Sequence, residues 1–282
     1  MSRIVYVNGS YVPEADAKVS VFDRAFLFAD GVYEVTAVLA GRPIDLDGHL
    51  ARLERSLAEM QIAPPLTHEA LRTLHAELIE RNRVDEGVIY LEITRGEADR
   101  DFVYPEAVTP TVVAFTQSRP LLDNPYAVTG VKVVTLPDLR WKRRDIKSTS
   151  LLAQTMGKQE AKRQGAYEAW MVEDGFVTEG TSSTAFILDA DGCIRTQPLG
   201  HHILPGVTRR AVLRLAHAER LTIEERPFTV AEAKQAREAF LTAASAFVLP
   251  VVEVDDIPVG DGRPGPVARE FRHLYIEEAR RG

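Results

Sequence analysis

The chain has 282 residues, of which 45% are hydrophobic and 27% are charged, so it is long enough for one large globular domain or two modest ones. A formal net charge of −7 argues against non-specific nucleic-acid binding, and no apolar run is long enough for a membrane helix. The seven histidines show no compact metal-ligand spacing, so no metal site is expected. Cys193 is the only cysteine, which excludes an internal disulfide and, without a signal-peptide pattern at the N-terminus, favours the cytoplasm.

The first part of the chain is predicted to alternate hairpins and helices. In chain order the predicted elements are a hairpin with its turn at 8–10, a strand at 32–39, helices at about 48–61 and 67–82, and strands at 88–95 and 111–116. Asp47 is the expected N-cap of the first helix. The segment 119–126 has two prolines and no periodicity, and we predict it to be the linker between a small N-terminal domain (1–118) and a larger C-terminal domain (127–282).

The second part of the chain continues the mixture of strands and helices. The predicted elements are a strand at 131–136, a helix at about 149–163, hairpins with turns at 174–175 and 189–192, helices at about 207–219 and 230–236, a strand near 239–242 and a helix at 267–280. The Asp-Gly pair at 174–175 is typical of a two-residue hairpin turn. Such interleaving predicts two α+β domains rather than a doubly wound sheet, and neither GxGxxG nor a P-loop occurs.

Lys147 is the first candidate for chemistry. It lies between a basic run at 140–144 and a predicted helix. An amine nucleophile needs a lowered pKa, which nearby cations such as Lys142, Arg143 and Arg144 could provide. Because a lysine in front of a helix is more often a solvated surface residue, this interpretation depends on features elsewhere in the chain.

Three other features could bind a phosphate or a ring nitrogen. The predicted helix that begins at 206–208 offers backbone N–H groups and the Thr208 hydroxyl at its positive end. Arg52 lies three residues from His49, on the same helix face, and could clamp a phosphate. Glu179, at the end of the predicted Asp-Gly hairpin, could face a pyridinium nitrogen. Each residue alone has a more ordinary interpretation, but a lysine, a carboxylate and a phosphate cup together are what a pyridoxal 5'-phosphate (PLP) site needs.

With these residues in place, the chain resembles the fold-type IV PLP enzymes, the class of branched-chain and D-amino acid aminotransferases and aminodeoxychorismate lyase. The resemblance covers nearly the whole chain, and it implies a two-domain α+β fold with the PLP site between the domains. Six segments in the family's order carry it: Asp23-Arg24-Ala25-Phe26 with Gly31-Val32-Tyr33-Glu34, His49-Leu50-Ala51-Arg52-Leu53, 90–96, Asp145-Ile146-Lys147-Ser148, Thr178-Glu179-Gly180 and Ile203-Leu204-Pro205-Gly206-Val207-Thr208-Arg209.

The resemblance implies a role for each matching residue. Lys147 would form the Schiff base with PLP, and Glu179 would pair with the pyridine nitrogen. The family often has a threonine that contacts the phosphate at the position where this chain has Ala244. The neighbouring Ser245 is expected to supply a substitute contact. Thr184 is a second departure, at a position where related enzymes often carry asparagine. The full set of implied cofactor-binding residues is Arg52, Glu179, Ser183, Leu204, Gly206, Val207, Thr208 and Ser245.

Tyr33 and Arg100 favour the D-amino acid aminotransferases, in which residues at these positions bind the substrate α-carboxylate. His49, near this site in the subgroup, is retained, but Phe102 stands where histidine is common. The resemblance therefore implies transamination between a D-amino acid such as D-alanine and a 2-oxo acid such as 2-oxoglutarate, with altered carboxylate affinity or range. It also implies a homodimer, because in this family the loop that bears Arg100 reaches the neighbouring subunit's active site.

Three other activities of the family remain open. A branched-chain L-amino acid aminotransferase would not need Arg100, an (R)-amine transaminase acts on substrates without the carboxylate, and aminodeoxychorismate lyase needs no amino acceptor. A non-enzymatic PLP-binding protein is disfavoured, because Lys147, Glu179 and Arg52 are all present.

Overall fold

The computed structural model describes residues 2–281, which form two compact units. The first unit runs to Pro120 and also includes Ile146–Ser150, while the second comprises Leu121–Asp145 and the chain from Leu151 onward. Within residues 2–281, no helix combines the length and the apolar character that crossing a bilayer requires.

The first unit is an antiparallel sheet with helices. Its elements are β1 (Ile4–Val7), β2 (Ser10–Pro13), α1 (Arg24–Phe28), β3 (Gly31–Leu39), β4 (Arg42–Pro43), α2 (Leu46–Glu59), α3 (His68–Asn82), β5 (Glu86–Thr94) and β6 (Thr111–Ser118). The strand order is β2-β1-β6-β5-β3-β4, and every neighbouring pair is antiparallel.

The two faces of this sheet differ because side chains alternate along each strand. Ile89, Leu91 and Ile93 of β5 enter the core that α2 and α3 cover with their leucines. The opposite face carries Tyr33, Tyr90 and Phe115, whose rings stack in a row with centroid separations of 5.5 and 5.0 Å. The alternation therefore gives the unit one closed apolar core and one half-buried aromatic face.

The start of α2 differs from the prediction. Asp45 is the N-cap, in a left-handed conformation with φ 52°, and Asp47 lies in the first turn. The predicted N-cap was therefore wrong by two residues, although an acid in the first turn still favours the positive end of the helix. The next helix follows the sequence signal closely, because the Thr67 side chain accepts a hydrogen bond from the Ala70 N–H at 3.1 Å.

The second unit is a larger mixed sheet with helices. Its elements are α4 (Pro125–Thr129), β7 (Val131–Pro137), α5 (Leu152–Arg163), β8 (Glu168–Glu173), β9 (Phe176–Gly180), β10 (Thr184–Leu188), β11 (Ile194–Thr196), α6 (Val207–Ala218), β12 (Ile223–Glu225), α7 (Val230–Gln235), β13 (Glu238–Ala243), β14 (Phe247–Val254), β15 (Ile257–Pro258) and α8 (Pro266–Arg281). The strand order is β12-β11-β10-β13-β14-β7-β8-β9, with β15 on β14. In the described part of the chain three pairs are parallel, namely β11 with β12, β14 with β7, and β7 with β8.

This sheet is covered on both faces, so successive residues of β13 are buried from Glu238 to Thr242. Ala239 and Leu241 enter one core, while Phe240 enters the other, which α6 and α8 cover. Phe240 stacks on Phe186 of β10 with a centroid separation of 4.8 Å. The predicted α+β class is confirmed by these two units.

The segment Ile146–Ser150 lies in the first unit, whereas the sequence placed it in the C-terminal domain. Ile146 packs in the first core, and the Tyr33 N–H donates to the Lys147 carbonyl oxygen at 2.9 Å. Ser148 forms a β-bridge with Val32. Because this pairing with β3 takes up the residues around 147–149, the helix expected from about 149 begins only at Leu152.

Candidate active site

Lys147 is held by the edge of the first unit's sheet and by α2. Its carbonyl oxygen accepts from the Tyr33 N–H at 2.9 Å, and its own N–H donates to the Ser56 hydroxyl oxygen at 3.3 Å. The side chain is half-buried, and its Nζ lies 4.3 Å from the centroid of the Tyr33 ring. The amine is therefore fixed at its backbone and held against an aromatic ring.

The carboxylate of Glu34 binds two of the predicted site residues, Arg52 and His49. It lies on β3 with 1% of its surface exposed, and its alternation places it on the face covered by α2. Arg52 donates to its carboxylate through Nε at 2.8 Å and Nη2 at 2.7 Å, while His49 Nδ1 lies 2.7 Å from the same group. From the sequence, Glu34 was part of a motif and had no assigned role. The alternation of β3, which puts Glu34 on the same face as the buried Val32, is the signal that could have found it.

The electrostatics of this cluster favour an ionised glutamate and a neutral histidine. Burial raises the pKa of Glu34, but Arg52 and His49 outweigh burial and hold the pKa at about 2. Burial lowers the pKa of His49, Glu34 works against that shift, and the positive charges of Arg52 and Lys147 add to it. Arg52 and His49 therefore share one buried carboxylate, and the charges of Arg52 and Lys147 both act on His49.

Glu179 lies at the end of β9 in the second unit and is 5% exposed. Its carboxylate pairs with Arg140 Nη1 and accepts from the Leu204 N–H at 3.1 and 3.3 Å. Burial raises the pKa of Glu179, and the charge and hydrogen bond of Arg140 work against that rise. The structure thus brings the predicted Glu179 and Leu204 together.

Arg140 is a residue of this cluster that the sequence argument missed, since it counted only as part of a basic run. Its Nε and Nη2 donate to Asp138 at 3.0 and 2.7 Å, and the Thr178 hydroxyl donates to Asp138 at 2.7 Å. The Asp138 side chain is fully buried. The Arg140 guanidinium is therefore fixed by one carboxylate while it pairs with another.

The rest of the basic run also forms ion pairs within the second unit. Lys142 and Arg144 both pair with Glu173, the latter at 2.8 Å, and Arg143 Nε lies 3.1 Å from Asp145. Their charges are therefore compensated by these carboxylates. From the sequence, these three cations were suggested as a cause of a lowered pKa at Lys147. The ion pairs named here join them to Glu173 and Asp145, and none of these pairs involves Lys147.

The N-terminus of α6 has the features of an anion site. Among the residues that the structure describes, no side chain caps this 12-residue helix at Gly206. The Thr208 hydroxyl is buried and has no hydrogen-bond partner within that same part of the chain. A Cβ at Gly206 would lie 2.9 Å from Thr184 Oγ1, so glycine permits this close approach. An orphaned buried hydroxyl beside free helix N–H groups fits a phosphate.

The other hydroxyls near this helix start have different surroundings. Thr242 pairs in register with Thr184 across β10 and β13, and its hydroxyl is also buried without a partner in residues 2–281. The sequence argument did not single it out. Ser183 donates to the buried carboxylate of Glu168, and Ser245 lies in the short turn between β13 and β14. Contact of either serine with the cofactor stays a prediction.

Arg100 and Phe102 pack side by side against α1. The Arg100 guanidinium carbon is 5.2 Å from the centroid of the Phe28 ring and 5.4 Å from that of Phe102. The two rings are 5.4 Å apart, and Phe102 is 78% exposed. The predicted substrate residues of this loop therefore form one cluster, and its role in binding carboxylate stays a prediction.

The sequence model of amino-transferase class IV matches residues 31–254. The D-alanine aminotransferase of Staphylococcus aureus (strain MSSA476) is 37% identical over 279 residues, which cover 97% of this chain and 98% of that protein. The chain belongs to the amino-transferase class IV family.

Solved structures of branched-chain amino acid aminotransferases share the fold. The Escherichia coli structure has a TM-score of 0.91 at 23% identity and covers 99% of this chain and 95% of its own. The Thermoproteus uzoniensis structure with norvaline has a TM-score of 0.88 at 26% identity and covers 98% of this chain and 94% of its own. The expected fold-type IV architecture and the class of PLP-dependent aminotransferases are thereby confirmed.

Proposed function

We propose that this protein transfers the amino group of a D-amino acid, such as D-alanine, to a 2-oxo acid, such as 2-oxoglutarate, with PLP as cofactor. The observation that carries the proposal is the 37% identity to a D-alanine aminotransferase over 97% of the chain. A branched-chain L-amino acid aminotransferase is the second candidate, because solved enzymes of that kind share the fold at lower identity, 23% and 26%.

PLP, when bound, supplies an aldehyde that a lysine can hold covalently and a ring that withdraws electrons from the substrate Cα. Lys147 is the proposed lysine, because its backbone is fixed by Tyr33 and Ser56 and its amine lies against an aromatic ring. As a free amine, it would take the proton from the substrate Cα and deliver it to the C4′ atom of the cofactor.

Four further features are proposed to hold the cofactor. Arg52 and the α6 start, with the Val207 and Thr208 N–H groups and the Thr208 hydroxyl, would hold the phosphate. Glu179 would face the ring nitrogen and hold its proton, because Arg140 favours the ionised carboxylate. Leu204 would lie against the ring, since its N–H already binds Glu179.

Tyr33, His49 and Arg100 are proposed to bind the substrate α-carboxylate. An arginine can bind a carboxylate through two parallel hydrogen bonds, which is a strong and oriented interaction. Phe102 replaces a histidine donor at this point, so the proposal includes a changed preference among D-amino acids.

We further propose a homodimer in which the Arg100 loop serves the active site of the partner subunit. The first unit exposes large apolar side chains around α1, and an exposed apolar cluster of this kind is typical of a protein interface. The exposed fractions are 66% for Val21, 55% for Phe22, 75% for Phe26, 78% for Phe102 and 73% for Val103. A cytoplasmic location stays a prediction that rests on the cysteine content of the chain.

Turnover assays test the proposed reaction. With D-alanine and 2-oxoglutarate, the PLP-loaded protein should form pyruvate continuously, and without 2-oxoglutarate pyruvate should stop at one per active site. Lys147→Ala should abolish both the turnover and the absorbance band of lysine-bound PLP. Turnover with L-leucine but not D-alanine would favour the second candidate, and pyruvate release from aminodeoxychorismate without any amino acceptor would indicate the lyase.

A further inference from the structure

The segment Asp23-Arg24-Ala25-Phe26 carries part of the family resemblance, yet the proposed reaction gives it no role. Asp23 caps α1 by accepting from the Ala25 N–H at 2.8 Å. Arg24 is 2% exposed, and its Nε donates to Asp30 at 2.7 Å. Its Nη1 donates to the Asp101 carbonyl oxygen at 2.7 Å. One end of this buried guanidinium therefore holds the backbone directly after Arg100.

Asp30 joins Arg24 to a second buried arginine. Arg95 donates to Asp30 through Nε at 2.8 Å and Nη2 at 3.0 Å. The same guanidinium donates to the carbonyl oxygens of Met60 at 2.7 Å and Gln61 at 3.0 Å, at the end of α2. Because every carboxylate and guanidinium in this group is at most 5% exposed, α1, the end of β5 and the end of α2 form one rigid support.

Phe28 lies on α1, as Arg24 does, and its ring contacts the side chain of Arg100. The Arg24 guanidinium carbon lies 4.7 Å from the Phe28 ring centroid, and the Arg100 guanidinium carbon lies 5.2 Å from it. An aromatic face attracts a guanidinium electrostatically. Arg24 therefore fixes Phe28 as well as the Asp101 backbone, and both contacts orient Arg100.

We propose that Arg24 and Phe28 are positioning residues that preorganise Arg100 for a substrate carboxylate. The inference rests on the proposed function, in which Arg100 binds that carboxylate. Arg24 and Arg95 share the carboxylate of Asp30, so both guanidinium groups are held in place before any substrate binds. A support that is rigid before binding reduces the entropy lost when the carboxylate is bound.

The test compares Arg24→Met and Phe28→Leu with Arg81→Met. Arg81 stacks over Tyr11 at 4.5 Å and pairs with Glu77, so its replacement removes the same chemical groups from the same unit. We expect KM for D-alanine to rise about tenfold in Arg24→Met and several-fold in Phe28→Leu, with kcat and PLP affinity within about twofold. Arg81→Met should leave all three quantities unchanged.

A double-mutant cycle with Arg100→Ala shows whether the effect passes through Arg100. Arg24→Met should add almost nothing to the KM of Arg100→Ala. If Arg24→Met raises KM by the same factor in both backgrounds, the positioning role is overturned. If Arg100→Ala itself leaves KM unchanged, the proposed carboxylate site fails, which is a different result. Should Arg24→Met not fold, as thermal unfolding would reveal, Phe28→Leu carries the same cycle, because Phe28 is only half-buried.

Discussion

Glu34 is the residue around which Arg52 and His49, two residues of the proposed site, are arranged. Its buried carboxylate binds both Arg52 and His49, and it is ionised although it is almost completely enclosed. Removing one partner of a buried ion pair leaves an uncompensated buried charge, which lowers the free energy of unfolding strongly. Replacing the whole pair by apolar residues costs much less stability. Glu34 is thus expected to matter for stability as well as for the orientation of Arg52.

We expect Glu34→Gln to lower the free energy of unfolding by about 3–5 kcal/mol at pH 7. Because the pKa of Glu34 is about 2 in the fold and 4.5 ordinarily, its ionised form stabilises the protein above pH 4.5, and this contribution is lost as pH falls toward 2. Urea unfolding at several pH values would measure it. The exposed pair of Glu77 and Arg81 offers the control Glu77→Gln, with a loss below about 1 kcal/mol. A deficit that does not shrink with falling pH would contradict the account.

Arg140 should act on catalysis through Glu179. Burial already raises the pKa of Glu179, so Arg140→Met should let the carboxyl take up a proton more readily. We expect kcat to fall about tenfold, and further as pH is lowered, with KM for D-alanine nearly unchanged. The pH titration of the cofactor absorbance should shift in parallel. Arg163→Met, which removes an exposed arginine paired with Glu160, is the control, and an unchanged kcat in Arg140→Met would refute this role.

At the scale of elements, the start of α6 is where helix geometry and the proposed phosphate site coincide. The helix has no side-chain cap within the described chain, and two buried threonine hydroxyls, those of Thr208 and Thr242, have no partner there. Native proteins rarely leave such groups unsatisfied. A bound phosphate would supply the missing acceptor for Thr208.

Thr208→Val should therefore weaken PLP binding about tenfold without destabilising the protein in the absence of cofactor. Thr36 provides a matched control, since its hydroxyl is likewise buried and unpartnered within residues 2–281 but lies on β3. Thr36→Val should leave PLP affinity unchanged. Equilibrium titration of cofactor absorbance measures the affinity, and equal losses in the two variants would argue against a phosphate at α6.

The elements show what could be predicted from the sequence. Hydrophobic periodicity placed α3 and β13 to within about two residues, and Asp174-Gly175 marked the hairpin between β8 and β9, because these signals are local. The pairing of 146–150 with β3 could not be foreseen, since it joins residues more than 100 positions apart. The same holds for the ion pair of Arg140 with Glu179. It joins the loop after β7 to β9, and β8 separates these two strands in the sheet.

At the scale of the whole molecule, the proposed dimer makes a prediction of its own. Wild-type protein should sediment with twice the mass of one chain, and Phe26→Asp should sediment as a monomer with little activity, because the change places a charge on the proposed interface. Ile257→Asp, at a 47% exposed position of the second unit, should remain dimeric. An active monomeric wild type would contradict the proposal that the Arg100 loop serves a partner.

The half-reaction with a single amino acid distinguishes an aminotransferase for D-amino acids from one for branched-chain L-amino acids. PLP-loaded protein is mixed with D-alanine or with L-leucine in the absence of any acceptor, and the absorbance of the cofactor is followed. The account predicts that D-alanine converts the lysine-bound cofactor to the pyridoxamine form with one pyruvate per active site, while L-leucine leaves the spectrum unchanged. Conversion by L-leucine alone would contradict it.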